Sequence, residues 1–349
     1  MTEKQYGGST GRAEGDRSVN NLKTNNEIIN QNKAKKSDTP SINKSNKINS
    51  SSSKESLSDK EKIIQAGKIS SEVKKYAASI IKKGVSLLEI AEKIEKKIEE
   101  LGGKPAFPVN LSIDNIAAHY TPGYDDKTTA SGLLKIDIGV HLDGWIADTA
   151  FSMDLENNEE NKKLIEASKK ALEDAIKIAK KDVLLSDIGK IIQDTISSFG
   201  FSPVINLSGH GMEQYKLHSG ITIPNTEDKK NISLKEELYA IEPFATTGSG
   251  RVHDGKPSGI YELREIKNVR SPIAREVLEF IIKEYSTLPF CSRWIVKKLG
   301  TKALFGLKQL EDNGNLHHYS QLVEVSGSKV SQAEQTILIE KDKITVTTE

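Results

Sequence analysis

The sequence contains one cysteine, Cys291, in 349 residues. A disulfide framework and a cysteine-rich zinc module are therefore excluded, and the composition suits a reducing compartment. Aromatic residues make up only 5% of the chain, and there is no run of about 18 apolar residues that could span a membrane. The first residues, MTEKQYGGSTGRAEGD, lack the apolar stretch of a secretory signal. We therefore expect a soluble, cytoplasmic protein without a membrane partner.

A large excess of either charge is also missing. Basic and acidic side chains number 50 and 49, which gives a formal net charge of +1. This balance argues against a wholly basic nucleic-acid coat, although a local basic patch remains compatible with it. The length is roughly twice the ~150 residues of a typical domain, so it fits one large domain or two small ones.

The composition changes sharply near residue 58. Residues 1–58 are rich in Asn, Ser and Lys, and their 11 hydrophobic residues follow neither a helical nor a strand period. Such a segment cannot bury enough apolar surface to offset its ordering entropy, so we predict a disordered tail followed by a domain over 59–349. The tail carries a net charge of +4. It is therefore either a solvated spacer or a basic arm that contacts ribosomal RNA.

The remainder alternates helical and strand patterns. Capping-box patterns at Ser58–Glu61 and Ser86–Glu89 begin two amphipathic helices. A hairpin follows, in which LLKIDIGV and GWIADTAFSM flank the turn residues Asp143-Gly144. Two further helices are predicted over 157–181 and 186–198, strands over 238–245, 259–267, 332–340 and 343–348, and a mostly helical region over 272–312. Two rounds of helices followed by strands indicate an α+β fold with an internal duplication.

The hairpin carries two aspartates. If Asp143-Gly144 is a two-residue loop, Asp137 faces Ala150 and Asp148 faces Gly139 across the two strands. Both carboxylates then lie diagonally on one face of the sheet, with backbones ~7–8 Å apart. At that separation they could hold two cations ~3.5–4 Å apart. Solvation of an exposed sheet face is the alternative role for such a pair.

Three more residues have the chemistry of metal ligands. Glu242 interrupts the apolar run LYAIEPFA, and Glu334 lies beside another apolar run in SQAEQTILIE. His210 lies between glycines in SGHGME. A buried carboxylate is costly unless it is paired or metal-bound. Together with the aspartates these residues form an oxygen-rich set that suits Mn, Fe, Co or Zn, although each alone also fits a structural role.

These segments together resemble the type 2 methionine aminopeptidases, the archaeal and eukaryotic branch of the pita-bread metallopeptidases. The resemblance covers about residue 60 to 349, and it is carried by the motifs FPVNLSIDNIAAHYTP, LKIDIGVHLDGWIADTA, GHGMEQYKLHSG, YAIEPFATTG, YSTLPFCSRW and AEQTILIEKDKITVTT. It implies a pita-bread fold with two pseudo-twofold halves and a helical insertion over about 272–320. It also implies removal of the initiator methionine from nascent polypeptide N-termini, with preference for a small second residue, by a monomeric enzyme.

The resemblance also implies the roles of individual residues. The metal ligands, which would hold two divalent ions (Co, Mn, Fe or Zn) around a bridging water, are Asp137, Asp148, His210, Glu242 and Glu334. Glu242 would in addition move a proton. His119 and His218 match the two histidines that contact substrate in the family. Phe107 and Leu217, each close to a motif residue, are candidates for an apolar methionine pocket, with core packing as their alternative role.

One position departs from the family pattern. Family members usually have His directly after the last ligand, where this chain has Gln335. We expect an effect on metal affinity or rate rather than loss of the site. Two alternative functions remain open from the sequence: an X-Pro-type aminopeptidase of the same fold, and a non-catalytic homologue that binds RNA or ribosomes. The insertion and KLHSG argue against the first, and the complete ligand set argues against the second.

Overall fold

The structure is a computed structural model that describes residues 57–341 and 343–349. Nearly all of the predicted tail lies outside these residues. The described helices are α1 (Asp59–Ile80), α2 (Leu87–Glu100), α3 (Glu159–Ile178), α4 (Leu185–Ser198), α5 (Pro272–Glu284), α6 (Ser292–Leu299) and α7 (Ala303–Asp312). None of the helices in this part of the chain is long and apolar enough to cross a membrane.

The described strands form four sheets. In chain order they are β1 (Lys104–Pro105), β2 (Asn110–Ile113), β3 (Ile116–Ala118), β4 (Leu133–Leu142), β5 (Trp145–Asp154), β6 (Ser202–Pro203), β7 (Ser208–Met212), β8 (Thr222–Pro224), β9 (Leu238–Ile241), β10 (Phe244–Thr246), β11 (Val252–Leu263), β12 (Phe290–Cys291), β13 (Leu316–Glu324), β14 (Val330–Gln332), β15 (Gln335–Glu340) and β16 (Lys343–Val346).

The first half of the described chain packs two helices on one sheet. Helix α1 begins with the predicted capping box, in which Ser58 and Glu61 bond to each other's backbone N–H groups. Ser86 caps α2 through the backbone of Glu89. Strands β1, β2 and β5 pair antiparallel with β4. Apolar residues of both helices pack on this sheet in one core cluster, as the helical spacing predicted.

The second half repeats this arrangement. Helices α3 and α4 pack on a five-stranded sheet with the order β16-β15-β9-β7-β8, and their apolar faces share a second core cluster with it. The prediction of two similar halves, each with two helices on a sheet, agrees with this architecture. A further sheet, β12-β11-β13-β3, carries the insertion helices α5, α6 and α7, which have their own core.

The structure corrects the predicted length of the helical insertion. Its helices end at Asp312, which agrees with the helical pattern predicted over 272–312, and residues 316–324 form strand β13, so the extent to about 320 implied by the resemblance includes the start of a strand. Strand β13 pairs with β11 along most of its length. The sequence LHHYSQLVE contains few strongly alternating residues, and this pairing partner lies more than 50 residues away, so local pattern alone did not reveal the strand.

Candidate metal centre and active site

The hairpin β4–β5 places two aspartates on one face of its sheet. Asp137 pairs with Ala150, and Asp148 pairs with Gly139, which is the register predicted from the two-residue turn. The two carboxyl groups lie close enough to share a hydrogen bond. Asp148 is only 3% exposed. The first half of the fold therefore contributes two adjacent carboxylates to one site.

The second half contributes three residues from neighbouring strands. His210 lies at the centre of β7, Glu242 directly follows β9, and Glu334 lies between β14 and β15. The flanking glycines of His210 are required, because a Cβ at Gly209 would lie 2.4 Å from the carbonyl oxygen of Ala240. Strand β9 pairs with both β7 and β15, so these three ligand candidates come together at one end of the sheet.

Backbone hydrogen bonds join the two halves at the site. The N–H of Glu334 donates to the carbonyl of Ala150 over 2.9 Å. The hydroxyl of Thr149 donates to the carbonyl of Glu334 over 2.8 Å. Because Ala150 faces Asp137 in the hairpin, this bridge fixes Glu334 beside both aspartates.

The five side chains form one compact group. Ligand atoms of Asp148, His210 and Glu334 all lie within 4.8 Å of one another. The His210 Nε2 is 3.6 Å from Asp148 Oδ2 and 3.5 Å from Glu242 Oε1. These distances are longer than direct hydrogen bonds, and they leave space for an ion among the atoms.

The electrostatics of this group are unfavourable without a cation. Withdrawal from water raises the pKa of Asp137 to about 7. It raises the pKa of Asp148 well above its usual range, and the charges of Asp137 and Glu242 add to that rise. The pKa values of Glu242 and Glu334 are raised in the same way. Desolvation lowers the pKa of His210 well below its usual range, so its ring is neutral and can act as a ligand.

This donor set fits divalent metal ions. Oδ1 of Asp137 and Oδ1 of Asp148 are buried and have no hydrogen-bond partner within the described residues. Buried acceptors without partners are costly, and a cation that binds them removes that cost. Four carboxylates and one imidazole suit Mn, Fe, Co or Zn better than a thiolate-rich zinc set would.

The group lines a cavity of about 300 Å³. All nine residues predicted for the site line it: Phe107, His119, Asp137, Asp148, His210, Leu217, His218, Glu242 and Glu334. The structure therefore brings together every residue that the sequence analysis assigned to metal, substrate or proton transfer.

The two motif histidines occupy different places in the cavity. His119 follows β3 with a left-handed backbone (φ 64°), and its Nδ1 lies 3.3 Å from the carbonyl oxygen of Ser320. Withdrawal from water lowers the pKa of His119. His218 is exposed, and its ring packs edge-on against His210 with centroids 4.5 Å apart. Both imidazoles are thus positioned to contact a molecule in the cavity.

The apolar wall of the cavity includes both predicted pocket residues. Phe107 is 5% exposed and packs against the backbone of Gly139, where a Cβ would lie 2.3 Å from the ring. The glycine in LKIDIGV is therefore needed for the ring to reach this position. Leu217 packs partly buried against the same core cluster as Phe107.

Sequence reasoning missed several polar residues of the cavity, among them Asn110, Tyr319 and Gln332. Nε2 of Gln332 lies 3.4 Å from Oε2 of Glu334. Tyr319 packs edge-on against His119, with ring centroids 5.4 Å apart. The signals in the sequence were weak: Asn110 lies in FPVNLS, nine residues before His119, and Gln332 lies in SQAEQ, two residues before Glu334.

Comparison with known proteins agrees with this geometry. The family model of metallopeptidase family M24 matches residues 61–278. A methionine aminopeptidase of Pyrococcus abyssi is 49% identical over 291 residues, covering 82% of this chain and 98% of that protein. The chain therefore belongs to metallopeptidase family M24. Within that family it is a methionine aminopeptidase, in the archaeal type 2 branch.

Solved structures agree in fold. A thermophilic Arx1 superimposes with a TM-score of 0.70 at 17% identity, covering 82% of this chain and 89% of that one. A methionine aminopeptidase of Thermotoga maritima superimposes with a TM-score of 0.61 at 22% identity, covering 84% and 98%. The pita-bread fold, the family and the enzyme class predicted from the sequence are thereby confirmed.

Proposed function

We propose that this methionine aminopeptidase removes the N-terminal methionine of nascent polypeptides with a small second residue, using a pair of divalent ions held by the five clustered side chains. The observation that carries the proposal is the convergence of four carboxylates and one neutral imidazole on the wall of a single cavity. The reaction would take place in the cytosol, where nascent chains emerge.

The proposed ligand roles follow from the resemblance to the family. By that resemblance Asp148 and Glu334 would contact both ions. Asp137, on the hairpin side, would complete one ion, and His210 with Glu242 would complete the other. When bound, the two ions would supply Lewis acidity and a water of lowered pKa, which peptide hydrolysis requires at neutral pH. Mn, Fe, Co and Zn all suit this donor set.

Glu242 is the proposed proton carrier. It follows strand β9 and is only partly buried, so its carboxylate faces the cavity as well as the ligand group. Its raised pKa, caused by desolvation and by the neighbouring Asp137, favours transient protonation. A carboxyl group of this kind can accept a proton from the attacking water and deliver it to the leaving amine.

His119 is proposed to hold the scissile peptide. A carbonyl oxygen can only accept a hydrogen bond, so the ring nitrogen facing Ser320 must carry the proton. Nε2 of the neutral ring is then an acceptor, which suits the N–H of the substrate's peptide bond. His218 is exposed and packs edge-on against the ring of His210. We propose that it contacts the carbonyl group of the substrate.

The apolar wall is proposed to select methionine. Phe107 and Leu217 share a core cluster that reaches the cavity, and they would surround an unbranched thioether chain. The cavity has a volume of about 300 Å³, which is small for a peptide substrate. This limited space supports the preference for a small second residue.

Glu242→Gln tests the proposed role of Glu242. The change keeps the volume but removes the basic oxygen, so turnover of a Met-Ala-Ser peptide should fall by at least ~10²-fold, within the ~10²–10⁴ typical of general acid–base groups. Metal content measured by mass spectrometry and the thermal midpoint serve as controls, because they separate proton transfer from metal loss. Retention of more than a tenth of the wild-type turnover would contradict the assignment.

A further inference from the structure

Asn110 is a cavity residue without an evident structural task. It begins strand β2, is 4% exposed, and lies directly opposite Asp137 in the pairing of β2 with β4. Directly opposed residues in antiparallel strands point to the same face of the sheet. The Asn110 side chain therefore lies beside the Asp137 carboxylate, on the wall of the cavity.

The orientation of the Asn110 amide is fixed by its own backbone neighbourhood. Its Nδ2 donates to the carbonyl oxygen of Pro108 over 3.0 Å. A carbonyl cannot donate, so the NH₂ group must face Pro108 and Oδ1 must point away from it. Oδ1 is buried and has no hydrogen-bond partner within the described residues. Buried oxygens that remain unpaired are rare in folded proteins because they lose their contact with water.

The charged groups beside Oδ1 of Asn110 on the cavity side cannot donate a hydrogen bond to it. Asp137 and Asp148 are carboxylates and, when ionised, offer only acceptors. An N–H or O–H donor that enters the cavity with the substrate would satisfy this oxygen. An aminopeptidase acts at the first residue of a chain, and the free α-amino group is the donor that only that residue carries.

We infer that Asn110 binds the free α-amino group of the substrate, with Oδ1 accepting one of its N–H bonds beside Asp137. Asn110 thus contributes to exopeptidase specificity, because an internal or acylated residue has an amide nitrogen with a single N–H in place of the free amino group. The inference rests on the proposed placement of the N-terminal methionine in the cavity.

The test compares two small ligands in the Mn²⁺-loaded protein by isothermal titration calorimetry. L-Methionine carries the α-amino group. 4-(Methylthio)butanoic acid has the same thioether chain and carboxylate but a hydrogen atom in place of the amino group. Asn110→Ala should weaken L-methionine binding about tenfold and leave binding of the desamino acid unchanged within about twofold, as expected for a hydrogen bond made only with the amine. Asn110→Asp, which keeps an acceptor, should retain most of the preference.

Asn225→Ala is the matched control. Asn225 is equally buried, its Nδ2 also donates to a backbone carbonyl and its Oδ1 is also unpaired within the described chain, but it does not line the cavity. It should leave the ratio of the two affinities unchanged. Equal weakening of both ligands by Asn110→Ala, or no weakening of either, would overturn the inference.

Two further measurements distinguish a failure of this inference from a failure of the proposed function. Metal content and the thermal midpoint of each variant show whether a change in affinity comes from a damaged site. In the wild-type protein, L-methionine should compete with Met-Ala-Ser turnover. If it does not compete, the placement of methionine in the cavity is wrong, and the role of Asn110 falls with it. If it competes but Asn110→Ala keeps the wild-type preference, only the role of Asn110 is wrong.

Discussion

At the scale of single residues, Glu334 shows how a proposed metal ligand is held in place by neighbouring groups. Its backbone is held by Ala150 and Thr149, and its carboxylate receives Nε2 of Gln332. Thr149 also accepts a hydrogen bond from Nζ of Lys74 over 3.2 Å, which brings a positive charge close to Glu334. The charge of Lys74 opposes the rise in the pKa of Glu334.

The contact between Gln332 and Glu334 suggests a test of two positions, Gln332 itself and Gln335, which directly follows Glu334. If the histidine usual in the family orients the last ligand, Gln335→His should tighten metal binding or raise turnover. Gln332→Ala, which removes the observed contact, should weaken metal binding by ~10–100-fold, the range typical of groups that orient ligands. Metal titration of both variants against wild type provides the comparison. Unchanged affinity and rate in Gln335→His would show that the departure is neutral.

The residue scale also shows which parts of the site the sequence could predict. Asp137 and Asp148 were predictable because a two-residue turn fixes the register of a hairpin, and with it the face of every side chain. Gln332 and Asn110 were not, because their importance depends on partners brought together by tertiary pairing. An amide in a strand has no local pattern that distinguishes a cavity position from a solvated one.

At the scale of elements, the insertion is fastened to the first half by a buried ion pair. Arg293 of α6 donates to both carboxylate oxygens of Glu95 of α2, over 2.7 and 2.8 Å, and Trp294 Nε1 donates to the same carboxylate. Nε of Arg293 also donates to the carbonyl of Pro122. All three nitrogens of this guanidinium therefore take part in joining the insertion to the body.

Arg293→Met should destabilise the protein strongly. Removal of one partner leaves Glu95 as an uncompensated buried charge, which typically costs ~3–5 kcal/mol. Chemical denaturation followed by circular dichroism measures the loss. Arg293→Met combined with Glu95→Leu should recover most of it, because no charge then remains buried. A double variant as unstable as the single variant would show that the pair acts through its shape rather than its charge.

Prediction of the elements failed where strands break at ligands. The sequence indicated continuous strands over 238–245 and 332–340, but the first is interrupted at Glu242 and Pro243 and the second at Ala333 and Glu334. Asp137, Asp148 and His210 lie within paired strands, whereas Glu242 and Glu334 lie where a strand is interrupted. Apolar residues occur in the strands on both sides of each break. The hydrophobic pattern of the sequence therefore continues through positions where the strand itself is interrupted. The predicted strand over 259–267 likewise begins earlier, at Val252, and ends at Leu263.

At the scale of the whole molecule, the site joins two halves that each have their own core. Asp137 and Asp148 come from the first, and His210, Glu242 and Glu334 come from the second. Four crowded carboxylates repel one another across this junction unless a cation offsets their charge. Metal binding should therefore stabilise the fold as well as supply reactivity.

Removal of metal by a chelator should lower the thermal midpoint at neutral pH, and added Mn²⁺ should restore it. A ligand at 100 times its Kd stabilises by ~2.7 kcal/mol at one site. Asp148→Asn separates charge from metal, because it relieves the repulsion from Asp137 and Glu242. The metal-free variant should melt above the metal-free wild type but gain little from Mn²⁺. A lower midpoint for the metal-free variant would contradict the repulsion argument.

The basic N-terminal segment can be tested at the same scale. We propose that its lysines contact ribosomal RNA and raise the local concentration of enzyme at the exit site. Deletion of residues 1–56 keeps Ser58, which caps α1, so hydrolysis of a short Met-Ala peptide should stay within about twofold. Co-sedimentation with ribosomes should fall at low salt, and the difference should vanish near ~0.5 M salt, where screening is strong. Equal sedimentation at low salt would remove this proposal.

The proposed metal ligands are divided between the two halves, so the ribosome adds them to the growing chain at different times. Asp137 and Glu334 are 197 positions apart in the chain. At ~5–20 residues per second, about 10–40 s pass between translation of the first ligand and of the last. During that interval the nascent first half holds two aspartates without the histidine and glutamates that complete the site. Activity therefore arises only as a late event of translation, and no growing copy of this enzyme can process its own amino terminus before its second half has emerged.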